Sequence, residues 1–263
     1  MSISSQSKAY PWALTGIFAA VHLIITLIPY NIAIGGEGAI SFGLISAPIV
    51  GFLLGPFFGV ISVLIGSEIA MLMFPSLALI GPFTAIATAF GAFGAGALRT
   101  KWRFSVPVAY LIFMGVFIIG PIGLLLPQFL IFQVIVFLLS LVFVIPKVSK
   151  LFLEPFRRRR DFNRAFGLFS IWLLSIVAVT LDHVFGLALG VFWFNIALAV
   201  DPTTIAVWFA PALLIIPIER IVGSVIVALI LAALIEVLVR NDFNLPLTRI
   251  GSYELLELSE EEI

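Results

Sequence analysis

The sequence predicts an all-α integral membrane protein, a bundle of about eight transmembrane helices with both termini in the cytoplasm. Three observations predict this class. The 263 residues are 62% hydrophobic and 11% charged, with a mean hydropathy of +1.24, whereas a soluble domain carries about 25% charged residues. Eight apolar stretches approach the ~20 residues that a helix needs to cross a bilayer. Basic residues cluster between some of these stretches and are absent between others. We therefore expect a multi-pass protein of the cell membrane.

The predicted spans follow one another with short connections, and glycine, proline or charged residues separate them. They cover residues 11–30, 39–54, 56–74, 79–98, 104–124, 127–146, 165–189 and 205–239. The second span is short, and the last is long enough for a surface helix before Pro217 and a span after it. Residues 1–240 are predicted to form one transmembrane domain, and residues 241–263 an acidic cytoplasmic tail.

The lysine and arginine residues predict the orientation, because cytoplasmic loops carry an excess of positive charge. The chain has 14 of them. Eight spans with both ends inside place every one except Arg220 in the cytoplasm. The basic run 157–160 is then a cytoplasmic anchor that also attracts anionic membrane lipids.

Several classes of protein are excluded or disfavoured. The chain has no cysteine and two histidines, which rules out disulfides and thiol catalysis and leaves little material for a metal site. It has no phosphate-binding G-x-x-x-x-G-K-[ST] loop, no H-E-x-x-H zinc motif and no G-x-S-x-G nucleophile turn. We expect no enzyme, catalytic residue, metal, cofactor or nucleic-acid partner.

Charged residues inside the spans are the first candidates for a functional site. Each costs about 3 kcal/mol on insertion scales, so such residues usually face the interior of a bundle. The predicted topology places Glu68, Asp182, Glu219 and Arg220 at a similar outer depth, with His183 beside Asp182. Two interpretations remain open: an ion-pair network around Arg220, or a site for a polar solute that opens outward.

Aromatic residues cluster between the last two spans. Trp193 and Trp208 lie there, and tryptophan collects at membrane interfaces. The alternative is an aromatic lid, because planar ligands stack on such rings. We therefore include both tryptophans among the predicted binding residues, in a pocket bounded by the first outer loop around Glu37, the third span and the last two spans.

The stretch from Ile40 to Pro75 resembles the substrate-binding S components of energy-coupling factor (ECF) uptake transporters. The resemblance lies in the Gly55-Pro56 turn after a short span and in the glycine-rich span that follows and carries Glu68 near its end. Residues 90–101 are similar to the family's glycine-rich fourth span, and residues 181–239 to its last two. Because S components usually have six spans, 104–146 is predicted to be an additional hairpin.

The resemblance implies capture of a vitamin-like solute from outside, with energy supplied by a coupling membrane subunit and a pair of ATPases. It also implies that Gly16, Ala19 and Ala20 form the face that docks the coupling subunit. Metal-transporting members use a histidine at position 2, and Ser2 stands here, so metal uptake is disfavoured.

Three other functions remain open. The first is a structural or accessory subunit of a larger membrane complex, which would have packing grooves and no ligand. The second is an autonomous channel or carrier, which would need polar groups along the inner halves of the spans. The third and weakest is an intramembrane enzyme.

Overall fold

A computed structural model of the chain describes residues 9–30, 40–145, 148 and 164–240. These residues form an all-α bundle, with one short antiparallel pairing of β1 (Pro29–Tyr30) and β2 (Ile40–Ser41). The predicted fold class is confirmed. Five helical stretches are long and apolar enough to cross a membrane: Ala9–Thr26, Gly43–Met73, Lys101–Ile119, Ala165–Ala197 and Ala212–Val237.

The helices follow the predicted spans closely, and α2 corresponds to two of them. The bounds are α1 (Ala9–Thr26), α2 (Gly43–Met73), α3 (Phe83–Leu98), α4 (Ser105–Ile119), α5 (Phe129–Val142), α6 (Arg164–Phe192), α7 (Pro202–Phe209) and α8 (Ala212–Arg240). α3 and α5 are shorter than predicted. The last predicted span is divided between α7 and α8, and Pro217 lies inside α8 instead of at the division.

Helix α2 is a hairpin of two antiparallel legs, as the Gly55-Pro56 pair predicts. Gly55 has φ 80° and ψ 177°, which is outside the helical region and accessible to glycine. Ser46 and Ser67 would lie about 30 Å apart in a straight helix, yet both bond to the imidazole of His22 in α1. When the two legs are counted separately and the eight-residue α7 is left out, the described residues form eight apolar helical segments.

Backbone contact without intervening side chains holds the hairpin against α3. A Cβ atom placed on Gly51 would lie 1.9 Å from the carbonyl oxygen of Ala92, and one on Gly96 would lie 2.5 Å from the nitrogen of Pro56. Small residues at these positions let helix axes approach closely. From the sequence, the four-residue spacing of small residues favours packing for both glycines, and the structure confirms this interpretation.

Arg99 follows α3 and closes the tip of the hairpin. Its Nη1 donates to the carbonyl of Phe52, and its guanidinium carbon lies 4.5 Å from the centre of the Phe52 ring. In an unbroken helix that carbonyl would accept from residue 56, but Pro56 has no N–H. The arginine therefore satisfies the acceptor that the proline leaves open.

The remaining helices pack around α6. Tyr110 of α4 is fully buried and donates to the carbonyl of Val177 in α6 at 2.7 Å. Helix α5 also contacts α6, so both helices of the predicted hairpin 104–146 pack against the bundle. The outer loop around Glu37, the basic run 157–160 and the predicted tail 241–263 lie outside the described residues.

Candidate functional site

A cavity lies at the end of the bundle opposite Arg99, which the positive-inside rule predicts to be the outer end. It is partly open to the surface and has a volume of about 140 Å³. It is surrounded by the start of α2, the start of α3, the outer part of α6 and the start of α8. Its polar lining consists of Ser41, Thr84, Thr88, Asp182, His183, Glu219 and Arg220.

An ion pair joins α6 to α8 beside the cavity. Nη1 of Arg220 lies 3.2 Å from a carboxylate oxygen of Asp182, and it also donates to the carbonyl of Val179 at 3.3 Å. The Arg220 side chain is 8% exposed and that of Asp182 is 13% exposed. Buried charges of opposite sign stabilise each other only when paired and hydrogen-bonded, as they are here. The predicted ion pairing of Arg220 with an acidic residue at this depth is therefore present.

The imidazole of His183 is buried next to this ion pair. Its Nε2 has no hydrogen-bond partner among the residues that the structure describes. Buried polar atoms in proteins are normally hydrogen-bonded, and an exception requires an explanation. Because His183 lines the cavity, a molecule inside the cavity could supply the missing partner.

Apolar side chains form the remaining walls of the cavity. The aromatic members are Phe194, in the π-helical turn Trp193–Ala197 that continues α6, and Phe209, at the end of α7. Their ring centres are 5.9 Å apart and their planes are steeply inclined. Gly186 and aliphatic residues complete the lining: Leu44, Leu77, Leu79, Ile80, Ala87, Leu187 and Ile216.

Three of the six predicted binding residues line the cavity: Asp182, Glu219 and Arg220. Glu68 does not. It lies on the exposed side of the second leg of α2, because the adjacent Ser67 points inward to His22. The predicted depth of Glu68 is correct, because it lies near the end of the bundle that holds the cavity. Its side chain, however, is on the side of the helix that faces away from the cavity.

The two predicted tryptophans also lie outside the cavity lining. Trp193 packs over the turn before α3, where a Cβ atom on Gly81 would lie 2.5 Å from its indole ring. Trp208 and Phe194 are in a T-shaped contact, with ring centres 6.2 Å apart. The next residue in each case, Phe194 or Phe209, faces the cavity.

Sequence reasoning left two further groups of lining residues out of the predicted set. The sequence places His183 beside Asp182 but does not mark it as a binding residue. Thr84 and Thr88 are four residues apart in an otherwise apolar helix, and this spacing places them on one helix face. That spacing was the available signal for a polar surface on α3.

The predicted docking face of α1 is only partly exposed. Gly16 and Ala20 are exposed, and a Cβ atom on Gly16 would meet nothing within 4 Å. Ala19 is 4% exposed and packs inside the chain, where Gly66 of α2 approaches its carbonyl oxygen. Ala19 is therefore a packing residue, and a docking partner could reach only the other two.

His22 occupies a separate and saturated polar cluster. Its Nδ1 lies 2.7 Å from Ser46 Oγ, and its Nε2 lies 2.9 Å from Ser67 Oγ and 3.3 Å from Thr26 Oγ1. From the sequence, a lone histidine in an apolar helix is expected to be an interior, hydrogen-bonded residue and not a ligand, and the structure confirms this prediction for His22. No three His, Asp or Glu side chains in the described part of the chain lie where they could hold a metal ion together.

Comparison with protein-family models, with curated proteins and with solved structures found no match for this chain.

Proposed function

We propose that the chain is a substrate-binding membrane subunit of an ECF-type uptake transporter, and that it captures a small vitamin-like solute from outside the cell. The cavity carries this proposal. It combines apolar walls with a few convergent polar groups, as small-molecule sites usually do, and it lies at the predicted outer end. Nε2 of His183, which has no hydrogen-bond partner among the described residues, supports a ligand there.

The distribution of polar groups also favours capture over autonomous transport. A channel or carrier needs a polar path to the opposite face of the membrane. Near Arg99, α2 and α3 are instead in direct backbone contact, and Arg99 bonds to the hairpin tip, so no polar path runs between these two helices. Release toward the cytoplasm would then require a separate coupling subunit, and Gly16 and Ala20 offer an exposed face for one.

The proposal is tested by mass spectrometry of small molecules that co-purify with the detergent-extracted protein. We expect one compound in stoichiometric amount, which heat denaturation releases and which an Asp182→Asn, Arg220→Met double variant no longer retains. A blank from well-folded protein, repeated after incubation with a mixture of vitamins, would remove the proposal.

A second candidate is an accessory subunit of a larger membrane complex without a ligand of its own. The exposed Gly16 and Ala20 face favours it equally, because small residues allow another helix to approach closely. Affinity purification from native membranes separates the two candidates. ATPase subunits of a transporter among the retained proteins support capture, whereas a stable complex without ATPases supports the accessory role.

A further inference from the structure

We propose that the exposed face of the second leg of α2 binds a transmembrane helix of a different protein chain, and that an arginine or lysine of that helix pairs with Glu68. This face lies outside the cavity, so the inference goes beyond the proposed capture of a solute and does not depend on it. It gives Glu68 a role in assembly instead of the role in solute binding that the sequence predicts.

Glu68 is an exposed carboxylate within an apolar part of its helix. It makes no hydrogen bond or ion pair with any residue that the structure describes. Ile65 precedes it by about one helical turn and is 45% exposed, and Leu72 follows it by about one turn and is 81% exposed. Apolar surface therefore continues on both sides of the carboxylate, and Glu68 lies within the part of the helix that is predicted to face lipid.

This position is unfavourable for a carboxylate in a single chain. Ionisable side chains within a membrane almost always face the interior of a bundle or a water-filled cavity, because lipid does not solvate their charge. Glu68 faces neither, since it lies on the exposed side of α2 and outside the cavity lining. A helix of another subunit packed on this face would turn the exposed position into an interior one.

The chain itself has no cation to offer Glu68 at this depth. The connections on the predicted outer side contain no lysine or arginine: residues 31–39, 74–82, 120–128 and 193–211. Arg220 is the one lysine or arginine that the predicted topology places outside the cytoplasm, and it bonds to Asp182 and to the carbonyl of Val179. The positive partner of Glu68 therefore comes from another molecule.

A second copy of the chain does not supply this partner. A two-fold symmetric contact brings the same surface of both copies together, so Glu68 would meet the Glu68 of the other copy or its apolar neighbours. Two carboxylates of like charge repel each other, and the second copy lacks an outer lysine or arginine for the same reason as the first. The charge therefore favours a different chain.

The spacing of the exposed residues fits a helix that runs along this face. Ile61, Ile65, Glu68 and Leu72 follow one another at intervals of four, three and four residues; Ile61 is partly exposed and the other three are exposed. This is the spacing of the contact seam in left-handed helix pairs, the commonest packing in membrane bundles. A single polar residue in such a seam selects the partner and its axial register, so Glu68 would select a helix with a basic residue at the matching depth.

Photocrosslinking in native membranes tests the inference. A photoreactive amino acid replaces Ile65 or Leu72 in the full-length chain, which is expressed in the cells that make it. Ile112 of α4 and Ile131 of α5, which are 55% and 63% exposed, are the control positions. We expect the first two positions to crosslink to one other membrane protein and the controls not to do so. Mass spectrometry of the crosslinked peptide should locate an arginine or lysine within about one helical turn of the crosslinked residue.

An exchange of charges tests the pairing itself. Glu68→Arg should lower the yield of the crosslink from Leu72 about tenfold, as expected for the loss of a polar bond between membrane helices. Replacing the basic residue of the partner segment by glutamate in the same cells should restore the yield. Glu68→Gln should cause a smaller loss. Glu236→Gln makes the same chemical change at an exposed position of α8 and should leave the yield unchanged.

Four results would overturn the inference: crosslinks to lipid alone, crosslinks to a second copy of the chain, crosslinks to a segment without a basic residue, and a yield that Glu68→Arg does not change. Purified Glu68→Arg protein should unfold at the same temperature as the parent, which excludes misfolding as the cause of a lost crosslink. The capture function fails or stands separately. An empty cavity with the crosslink intact removes capture alone, and a bound solute without the crosslink removes this inference alone.

Discussion

His22 and His183 are both buried in the helical bundle, but the regions around them use their polar groups differently. In the hairpin region, where α1 and α3 pack against α2, three hydroxyl groups satisfy the ring of His22. In the cavity region, Nε2 of His183 has no partner among the described residues. A polar cluster whose hydrogen bonds are all made rigidifies a core, whereas a buried polar atom without a partner lowers the stability of the fold. The comparison separates a region built for packing from one that can accept a ligand.

The largest expected effect tests the ion pair of the cavity region. Arg220→Met removes the partner of a largely buried Asp182 and should lower the free energy of unfolding by about 3–5 kcal/mol. Adding Asp182→Leu should restore most of this loss, since an apolar pair of similar volume needs no hydrogen bonds. Thermal unfolding of the purified variants in one detergent measures both. If the single variant is as stable as the parent, the ion pair does not stabilise the bundle.

The next prediction concerns the glycine contacts of the hairpin region. Gly51→Ala places a methyl group against the backbone of Ala92 and should cost about 3 kcal/mol, at the upper end of overpacking effects. Gly16→Ala is the matched control, because its methyl group would meet nothing within 4 Å. The yield of monodisperse protein and the unfolding midpoint measure the difference. Equal stability of the two variants would contradict the close packing of α2 on α3.

The two histidines allow the most direct comparison. His22→Ala breaks the cluster with Ser46 and Ser67 and should lower the free energy of unfolding by about 2–3 kcal/mol, because both hydroxyls lose their bond to the imidazole in a buried site. His183→Ala should lower the free energy of unfolding less than His22→Ala does, because Nε2 of His183 has no partner among the described residues to lose. It should also weaken binding of the co-purified compound. The same unfolding assay, run with and without that compound, separates the effects. A larger loss of stability for His183→Ala would reverse the comparison.

The smallest expected effect lies at the start of α7, outside both regions. The carboxylate of Asp201 accepts from the hydroxyl of Thr203 and from the backbone N–H groups of Thr203 and Thr204, at 2.9 and 3.2 Å for the latter two. These bonds lower the pKa of Asp201. The cap therefore stabilises the folded state fully above the pKa of an unfolded aspartate, about 3.9, and loses this effect as the pH falls through the lower folded value.

Asp201→Ala should lower the unfolding midpoint slightly at pH 7, because it removes the cap of α7. The difference from the parent should shrink as the pH falls below about 4. Asp201→Asn keeps a side-chain acceptor and is the control. Unfolding midpoints across a pH series measure the trend, and a difference that grows in acid would contradict the capping role.

The positions of the helical segments could be predicted from the sequence because they depend on local properties. A long apolar stretch must satisfy its own backbone groups in lipid, and a helix does so without any partner. Glycine is unfavourable inside a helix and proline cannot donate the helical hydrogen bond, so Gly55 and Pro56 also made the turn between the two legs of α2 predictable. The depth of Asp182, Glu219 and Arg220 followed from counting residues along their spans.

The rotation of each helix about its axis was decided by the tertiary structure. Glu68 faces outward because Ser67 bonds to His22, and Ala19 faces inward because Gly66 packs on it. Phe194 and Phe209 face the cavity, and the adjacent tryptophans do not. In spans that are apolar on all sides, the hydrophobic pattern does not distinguish the buried face from the lipid-facing one. Contacts between helices distant in sequence therefore choose which residues meet at the site.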